Sequence, residues 1–257
     1  MSKERIVIKI GTGVLTTPSG NALDALAMLK ISAAVVDLCE RGIEVILVSS
    51  GAVGTALGEF SITERPNDIA DLQSLAAVGQ ARLMHAYHNH FSPHGFHVGQ
   101  MLLSYADLES PDREARILRT LENLLAREKI IPIINENDSV AVEELRFGDN
   151  DALSSKIAVA CKASTLVLLT TEDGLLANKS TNTCSVVSEV VNAEEAKQHV
   201  IAEKGAFSVG GMASKLDAAD FASRNGIVCF IANGKDADKL WDKVYGDDKT
   251  RTRIATR

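Results

Sequence analysis

The chain has 257 residues, 46% of them hydrophobic and 24% charged, ordinary values for a globular protein with a substantial core. Its formal net charge of −7 argues against a dedicated nucleic-acid binder, and no apolar run reaches membrane-spanning length. The N-terminus, MSKERIVIKIG, has no apolar segment of signal-peptide type. Cys39, Cys161, Cys184 and Cys229 are far apart and form no CxxC pair, so the expectation is a cytoplasmic protein with reduced thiols and no structural zinc.

Strand-length apolar runs alternate with helical patterns along the chain. Strands are expected at 5–10, 43–48, 97–103, 130–134, 165–170 and 227–232. Helices are expected at 22–41, about 72–91, 113–128, 151–161 and 214–224, the first stopped by Gly42. Residues 140–147 alternate enough to suggest a hairpin arm, and 61–71 and 177–185 read as surface loops. Strands separated by helices imply parallel crossovers, hence a three-layer α/β/α sandwich with a mainly parallel central sheet. Ligands of such sheets bind at the carboxyl ends of the strands.

Two polar clusters stand out. Ile130–Ile134 empties into Asn135, Glu136, Asn137 and Asp138, and ten residues later Gly148, Asp149, Asn150 and Asp151 open a helix. So many amides and carboxylates in so little chain suit a small, polar, charged ligand.

Three glycine turns accompany them. Lys9 lies inside the apolar run IVIKIG, where a buried ammonium needs an anionic partner; the alternative is an edge-strand lysine reaching solvent. Gly11 and Gly13 follow it, but position 16 is Thr16, so the dinucleotide fingerprint is incomplete. Ser50 and Gly51 end the second strand and lead into a helix, whose first amides favour anions, although Ser50 also suits a simple helix cap. Gly210, Gly211, Met212, Ala213, Ser214 and Lys215 open a later helix without matching the P-loop pattern. Lys215 there is either a solvated helix residue or a cation over a transferring phosphoryl group.

Seven segments, IVIKIGTGVLT, VILVSSGAVG, LAAVGQARLM, HVGQMLLS, IIPIINENDSV, FGDNDALS and VGGMASKLDAA, together resemble the amino acid kinase family, and within it the kinases of the glutamate side chain. They span nearly the whole chain, and NENDSV followed by GDND is the specific part. The resemblance implies one amino acid kinase domain over 1–257, with a glutamate-binding lobe to about 155 and an ATP-binding lobe beyond. It implies transfer of the ATP γ-phosphate to the side-chain carboxylate of L-glutamate, the first step toward proline, with Mg²⁺. It further implies a homo-oligomer, dimer or tetramer, inhibition by proline with the 61–71 loop involved, and no nucleic-acid or membrane partner. By position, Lys9 and Lys215 would flank the phosphoryl group and Asp151 would orient them. Gly11, Thr12 and Gly51 would contact phosphates and the reacting carboxylate. Ser50, Asp138 and Asn150 would bind glutamate, Asp138 its ammonium and the other two its carboxylates. Thr170, Thr171 and the run Val209, Gly210, Gly211, Met212, Ala213, Ser214 and Lys215 would line the ATP pocket. No metal ligand is assigned to a protein side chain. The rival readings are a kinase of acetylglutamate or aspartate, and a nucleotide- or amino-acid-sensing module without turnover.

The chain departs from the family pattern at four positions. Thr171 stands for the usual Asp, Leu176 for Tyr, Val209 for Thr and Gly13 for Ser; the changes at 171, 209 and 13 bear on nucleotide affinity and base preference. A C-terminal PUA domain, common among relatives, is not expected after KTRTRIATR. The cluster His85, His88, His90, His94 and His97 reads as surface or helix-end histidines rather than a metal site. Lys249, Arg251, Arg253 and Arg257 read as a solvated basic tail, and Trp241 as the residue packing a late helix onto the sheet.

Overall fold

The computed structural model describes residues 3–141, 150–177, 184–191, 196 and 211–256. Among these, eight strands form one sheet in the order β3-β4-β2-β1-β5-β9-β10-β8. They are β1 (Arg5–Ile10), β2 (Glu44–Ser49), β3 (His97–Leu103), β4 (Ile130–Glu136), β5 (Thr165–Thr170), β8 (Glu189–Val190), β9 (Val228–Asn233) and β10 (Arg251–Ile254). All neighbours are parallel except the antiparallel pair β9–β10. A separate antiparallel ribbon joins β6 (Leu176–Ala177) to β7 (Ser185–Val186). The two ends of the loop expected at 177–185 are therefore paired, with Ala177 opposite Ser185.

Strand alternation sorts the core into two layers. Ile6, Ile8 and Ile10 of β1 pack on one side with α2 (Ala25–Glu40), α4 (Ile69–Phe91) and the short α1 (Thr12–Leu15), through residues such as Ile31, Leu83 and Tyr87. Val7 points the other way, toward α6 (Pro111–Leu125), α7 (Asp151–Ala160) and α8 (Met212–Arg224), with Leu121, Leu153 and Leu216 in that layer. Lys9 has the parity of Val7, so its side chain leaves the sheet on the α7–α8 side. β1 lies between β2 and β5; it is an interior strand, and the edge-strand reading of Lys9 is excluded.

The remaining helices are α3 (Ala52–Glu59), α5 (Tyr105–Glu109) and α9 (Leu240–Tyr245). α4 begins three residues earlier than expected because Asp68 caps it, accepting from the Asp71 N–H at 3.1 Å. α4 also crosses α3 with almost no gap: a β-carbon at Gly79 would fall 1.8 Å from the Ala52 carbonyl oxygen. Only glycine permits that crossing, and the next residue, Gln80, is thereby set beneath the strand ends. His85, His88 and His90 occupy the last turns of α4, His94 the following turn and His97 the start of β3.

The expected basic tail is instead a strand. Arg251–Ile254 pairs with β9, with Thr252 and Ile254 buried and the arginines alternating outward; Arg251 lies over the Phe230 ring at 4.5 Å. The charge of the arginines hid a period-two pattern. Trp241 sits in α9 against the α2-side core, covered by the Arg41 guanidinium at 4.0 Å. The hairpin arm expected at 140–147 falls almost wholly outside the described residues.

Thr252 is fully buried, its hydroxyl accepting from the Leu175 N–H and donating to the Val187 carbonyl, both at 2.7 Å. Thr252→Val keeps the shape but orphans both backbone groups, and should lower stability by about 1–3 kcal/mol in denaturant unfolding.

Candidate functional site

The carboxyl ends of β1, β2, β4 and β5 converge where the strand order reverses around β1, the position at which open α/β sheets bind ligands. α7 starts there with Asn150 as its N-cap and Asp151 in its first turn. A carboxylate at that end is favoured by the helix dipole. Asp151 is fully buried; one oxygen forms an ion pair with Lys9 Nζ at 2.6 Å and the other accepts a hydrogen bond from Lys215 Nζ at 2.9 Å. Lys215 reaches it from the first turn of α8, itself only 7% exposed. Sequence spacing could not bring these three together; the two parallel crossovers do.

One buried carboxylate thus fixes two ammonium groups. Each ammonium carries three donors; Lys215 gives one of its own to Asp151, and Lys9 is held by the charge of the other carboxylate oxygen. The arrangement suits an anion whose charge is spread over several oxygens, as on a transferring phosphoryl group.

The glycine turns frame this pair. Gly51 caps α3 in a left-handed conformation (φ 98°), which glycine adopts without strain. Its carbonyl accepts both the backbone N–H and the hydroxyl of Thr55, at 2.9 and 2.8 Å. Gly11 donates its N–H to the Leu169 carbonyl at 3.2 Å, joining the turn after β1 to the end of β5. Thr12 opens α1 beside it. On the other flank, Thr170 ends β5, Thr171 is exposed just past it, and Gly211 caps α8, whose first residues are Met212, Ala213 and Ser214. Two of the four departures from the family pattern are neighbours: a β-carbon on Gly13 would lie 3.2 Å from Thr171 Cγ2. A serine at 13 would crowd Thr171, so these two changes belong together. Val209, Gly210, Gly148 and Asp149 lie outside the described residues.

The ends of β2 and β4 hold the second half of the site. Ser50 and Asn150 are buried, and Asn150 Nδ2 donates to the Ser49 carbonyl and to Asn135 Oδ1, both at 2.7 Å; Ser50 Oγ is 3.4 Å away. Both amide hydrogens of Asn150 are therefore spent within the protein, and what it offers a ligand is its oxygen. That is an acceptor, suited to an ammonium rather than to the carboxylate expected from the sequence. Asp138, just beyond β4, is 8% exposed. Burial pushes its carboxyl up to about 6 against the opposing influence of the Arg65 guanidinium. Arg65 belongs to the 61–71 loop, so that loop acts electrostatically on Asp138.

Two residues of this half had no assigned role in the sequence. Asn135 has the strand parity of Ile131 and Ile133, which places it on the α4 side of the sheet. Its Nδ2 donates to Gln80 Oε1 at 2.8 Å. The signal for Gln80 was available: it lies three and seven residues before the core residues Leu83 and Tyr87, on the buried face of α4. A cavity of about 230 Å³ opens here, bordered by Gln80, Glu136, Asn137, Asp138 and Ser139.

Among the described residues, no helix is long and apolar enough to cross a membrane and no group of three His, Cys, Asp or Glu side chains could hold a metal ion.

Known proteins share this architecture. The chain resembles a carbamate kinase from Giardia lamblia, described bound to AMP-PNP, with a TM-score of 0.69 at 16% identity, covering 100% of this chain and 99% of that one. A UMP kinase from Ureaplasma parvum gives 0.63 at 13% identity, with both chains fully covered; likenesses this distant establish the fold alone. Nearer in sequence is a glutamate 5-kinase of Clostridium acetobutylicum, 43% identical over 239 residues, spanning 92% of this chain and 89% of the relative. The glutamate 5-kinase of Symbiobacterium thermophilum is 40% identical over 247 residues, 95% of this chain and 94% of its own. That of Shewanella sediminis is longer: its 41% identity over 245 residues covers 93% of this chain but 65% of the relative. The model of the amino acid kinase family matches residues 4–233. The chain belongs to the amino acid kinase family.

Proposed function

We propose that the protein is a glutamate 5-kinase, transferring the γ-phosphoryl group of ATP to the side-chain carboxylate of L-glutamate to give L-glutamyl 5-phosphate and ADP, as the first step of proline formation. The observation that carries this reading is the buried Lys9–Asp151–Lys215 arrangement, together with a second buried carboxylate, Asp138. The relatives' shared name supplies the acceptor.

An oxygen of the glutamate side chain attacks the γ-phosphorus while the bond to the ADP oxygen breaks, and ADP leaves as an anion. The attacking carboxylate is already ionised at neutral pH, so the protein need not supply a general base. Its contribution is positioning and electrostatics. Lys9 and Lys215 bracket the phosphoryl oxygens, Asp151 keeps the two ammonium groups in register, and Gly11, Thr12 and Gly51 offer backbone or hydroxyl donors. Thr170, Thr171 and 209–215 take the nucleotide. Mg²⁺ accompanies ATP and offsets phosphate charge. The described side chains at the site, two lysines on a carboxylate whose oxygens are both engaged, fit the nucleotide's anion and not a bare cation, so phosphate oxygens would be its ligands.

Asp138 bears on the choice among carboxylate kinases. It suits a free ammonium, and an acylated nitrogen would leave it without an ionic partner, which disfavours acetylglutamate. Homo-oligomeric assembly and inhibition by proline complete the proposal; the influence of Arg65 on Asp138 supports a link between the 61–71 loop and the substrate.

Coupled measurement of ADP release with glutamate, acetylglutamate and aspartate should show turnover with glutamate far above the other two. Nucleotide binding without ADP release from any of them would overturn the proposal. Lys215→Ala should lower turnover by on the order of 10²- to 10³-fold or more while calorimetry still detects glutamate; equal loss of both would contradict its placement at the phosphoryl group.

A pH profile tests Asp138. Below about 6 its carboxyl holds a proton in the ligand-free protein, and that proton must leave before an ammonium can pair with it. The Michaelis constant for glutamate should therefore climb as pH falls through about 6, approaching tenfold per unit. Asp138→Asn should bind weakly throughout and lack this limb; an unchanged limb in the variant would remove Asp138 from the substrate's ammonium.

A further inference from the structure

Asn150, Asn135 and Gln80 form one chain of amide hydrogen bonds, and its direction is fixed by two backbone groups. The Ser49 carbonyl can only accept, so the atom of Asn150 facing it is Nδ2. The Glu136 N–H can only donate, at 2.9 Å, so the atom of Asn135 facing it is Oδ1. Asn150 then donates to Asn135, and Asn135 must donate through Nδ2 to Gln80 Oε1. No amide in the chain can flip without setting donor against donor or acceptor against acceptor.

The two ends are therefore of opposite character. Asn150 ends in a buried oxygen, Oδ1, and Gln80 in a buried donor, Nε2; among the described residues neither has a hydrogen-bond partner. Asp138 Oδ1 is likewise buried without one. Buried polar groups left unmade are costly and call for an explanation, and here Gln80 and Asp138 both border the cavity. The set is two acceptors, one of them a carboxylate, and one amide donor. That is the complement of an α-amino acid head group, which carries a donor-only ammonium and an acceptor-only carboxylate.

We propose that Gln80 is a specificity-determining residue: its Nε2 donates to the α-carboxylate of the amino-acid substrate, and through Asn135 its Oε1 holds Asn150 with Oδ1 turned, like Asp138, toward the α-ammonium. This rests on the reading of the protein as a kinase of a free amino acid, and it names how that head group is told from its derivatives. Among the described residues, the other charged groups near Asp138 are Glu136, beside it in the cavity wall, and Arg65.

Gln80→Glu isolates the donor end. The new carboxylate still accepts from Asn135, so the chain keeps its direction, but the donor toward the substrate is replaced by a negative charge. Binding of L-glutamate and of L-glutamate α-amide is measured by calorimetry, and turnover by ADP release. The wild type should prefer glutamate over the α-amide by about tenfold or more, the difference between a charge-assisted and a neutral hydrogen bond. Gln80→Glu should weaken glutamate by about 10- to 100-fold, shift the ratio toward the α-amide by at least tenfold, and place the loss on the Michaelis constant of glutamate rather than that of ATP. An unchanged ratio would overturn the proposal, because general loosening of the fold weakens both ligands alike. Should the variant not fold by circular dichroism, equal wild-type binding of glutamate and its α-amide overturns the proposal on its own, and the tenfold preference supports it. Failure of the wild type to phosphorylate glutamate at all would instead remove the functional reading beneath it.

Discussion

Everything in this site is arranged around Asp151, a fully buried carboxylate paired with two lysines on different elements. Buried ion pairs are poor sources of stability, because desolvation offsets most of the attraction. Removing the carboxylate would be far worse, costing about 3–5 kcal/mol for stranding even one buried partner. The fold keeps the arrangement at modest net benefit, so its presence points to function. It also imposes constraints. Lys9 must sit on an interior strand with the parity that faces α7, α7 must begin at the end of the sheet, and α8 must bring its first turn across the same opening.

The neighbouring subsite works on a different principle. Where the phosphoryl centre concentrates charge, the Gln80–Asn135–Asn150 chain carries none and supplies polarity by direction alone. Backbone groups of β2 and β4 set that direction, so recognition is built into the strand ends rather than into a movable loop. Gly79 has a part in this, since its close crossing with Ala52 seats α4 where Gln80 can reach Asn135. One side of the sheet thus carries the chemistry of Lys9, and the other the chain through Asn135.

Much of the frame was legible in the sequence because it is local. The apolar runs at 5–10, 97–103 and 165–170 are the observed strands, and the glycine turns after β1 and β2 stand where anion-binding turns stand in parallel sheets. What escaped was set by long-range partners. Whether Lys9 lay at an edge depended on strand order, which no window of sequence contains. β10 was hidden because its outward positions are arginines, so hydrophobicity read it as a tail. The sense in which Asn150 presents its amide was invisible, because it is decided by the Ser49 carbonyl about a hundred residues away. Gly13 and Thr171 looked like independent departures until their contact paired them.

The most direct test of the central claim is to trap the product. Incubated with ATP, Mg²⁺, L-glutamate and hydroxylamine, the protein should form γ-glutamyl hydroxamate in step with ADP, since an acyl phosphate made at the lysine pair reacts readily with that nucleophile. ADP released without hydroxamate, or neither formed at any glutamate concentration, would contradict the assignment of this site to phosphorylation of a side-chain carboxylate.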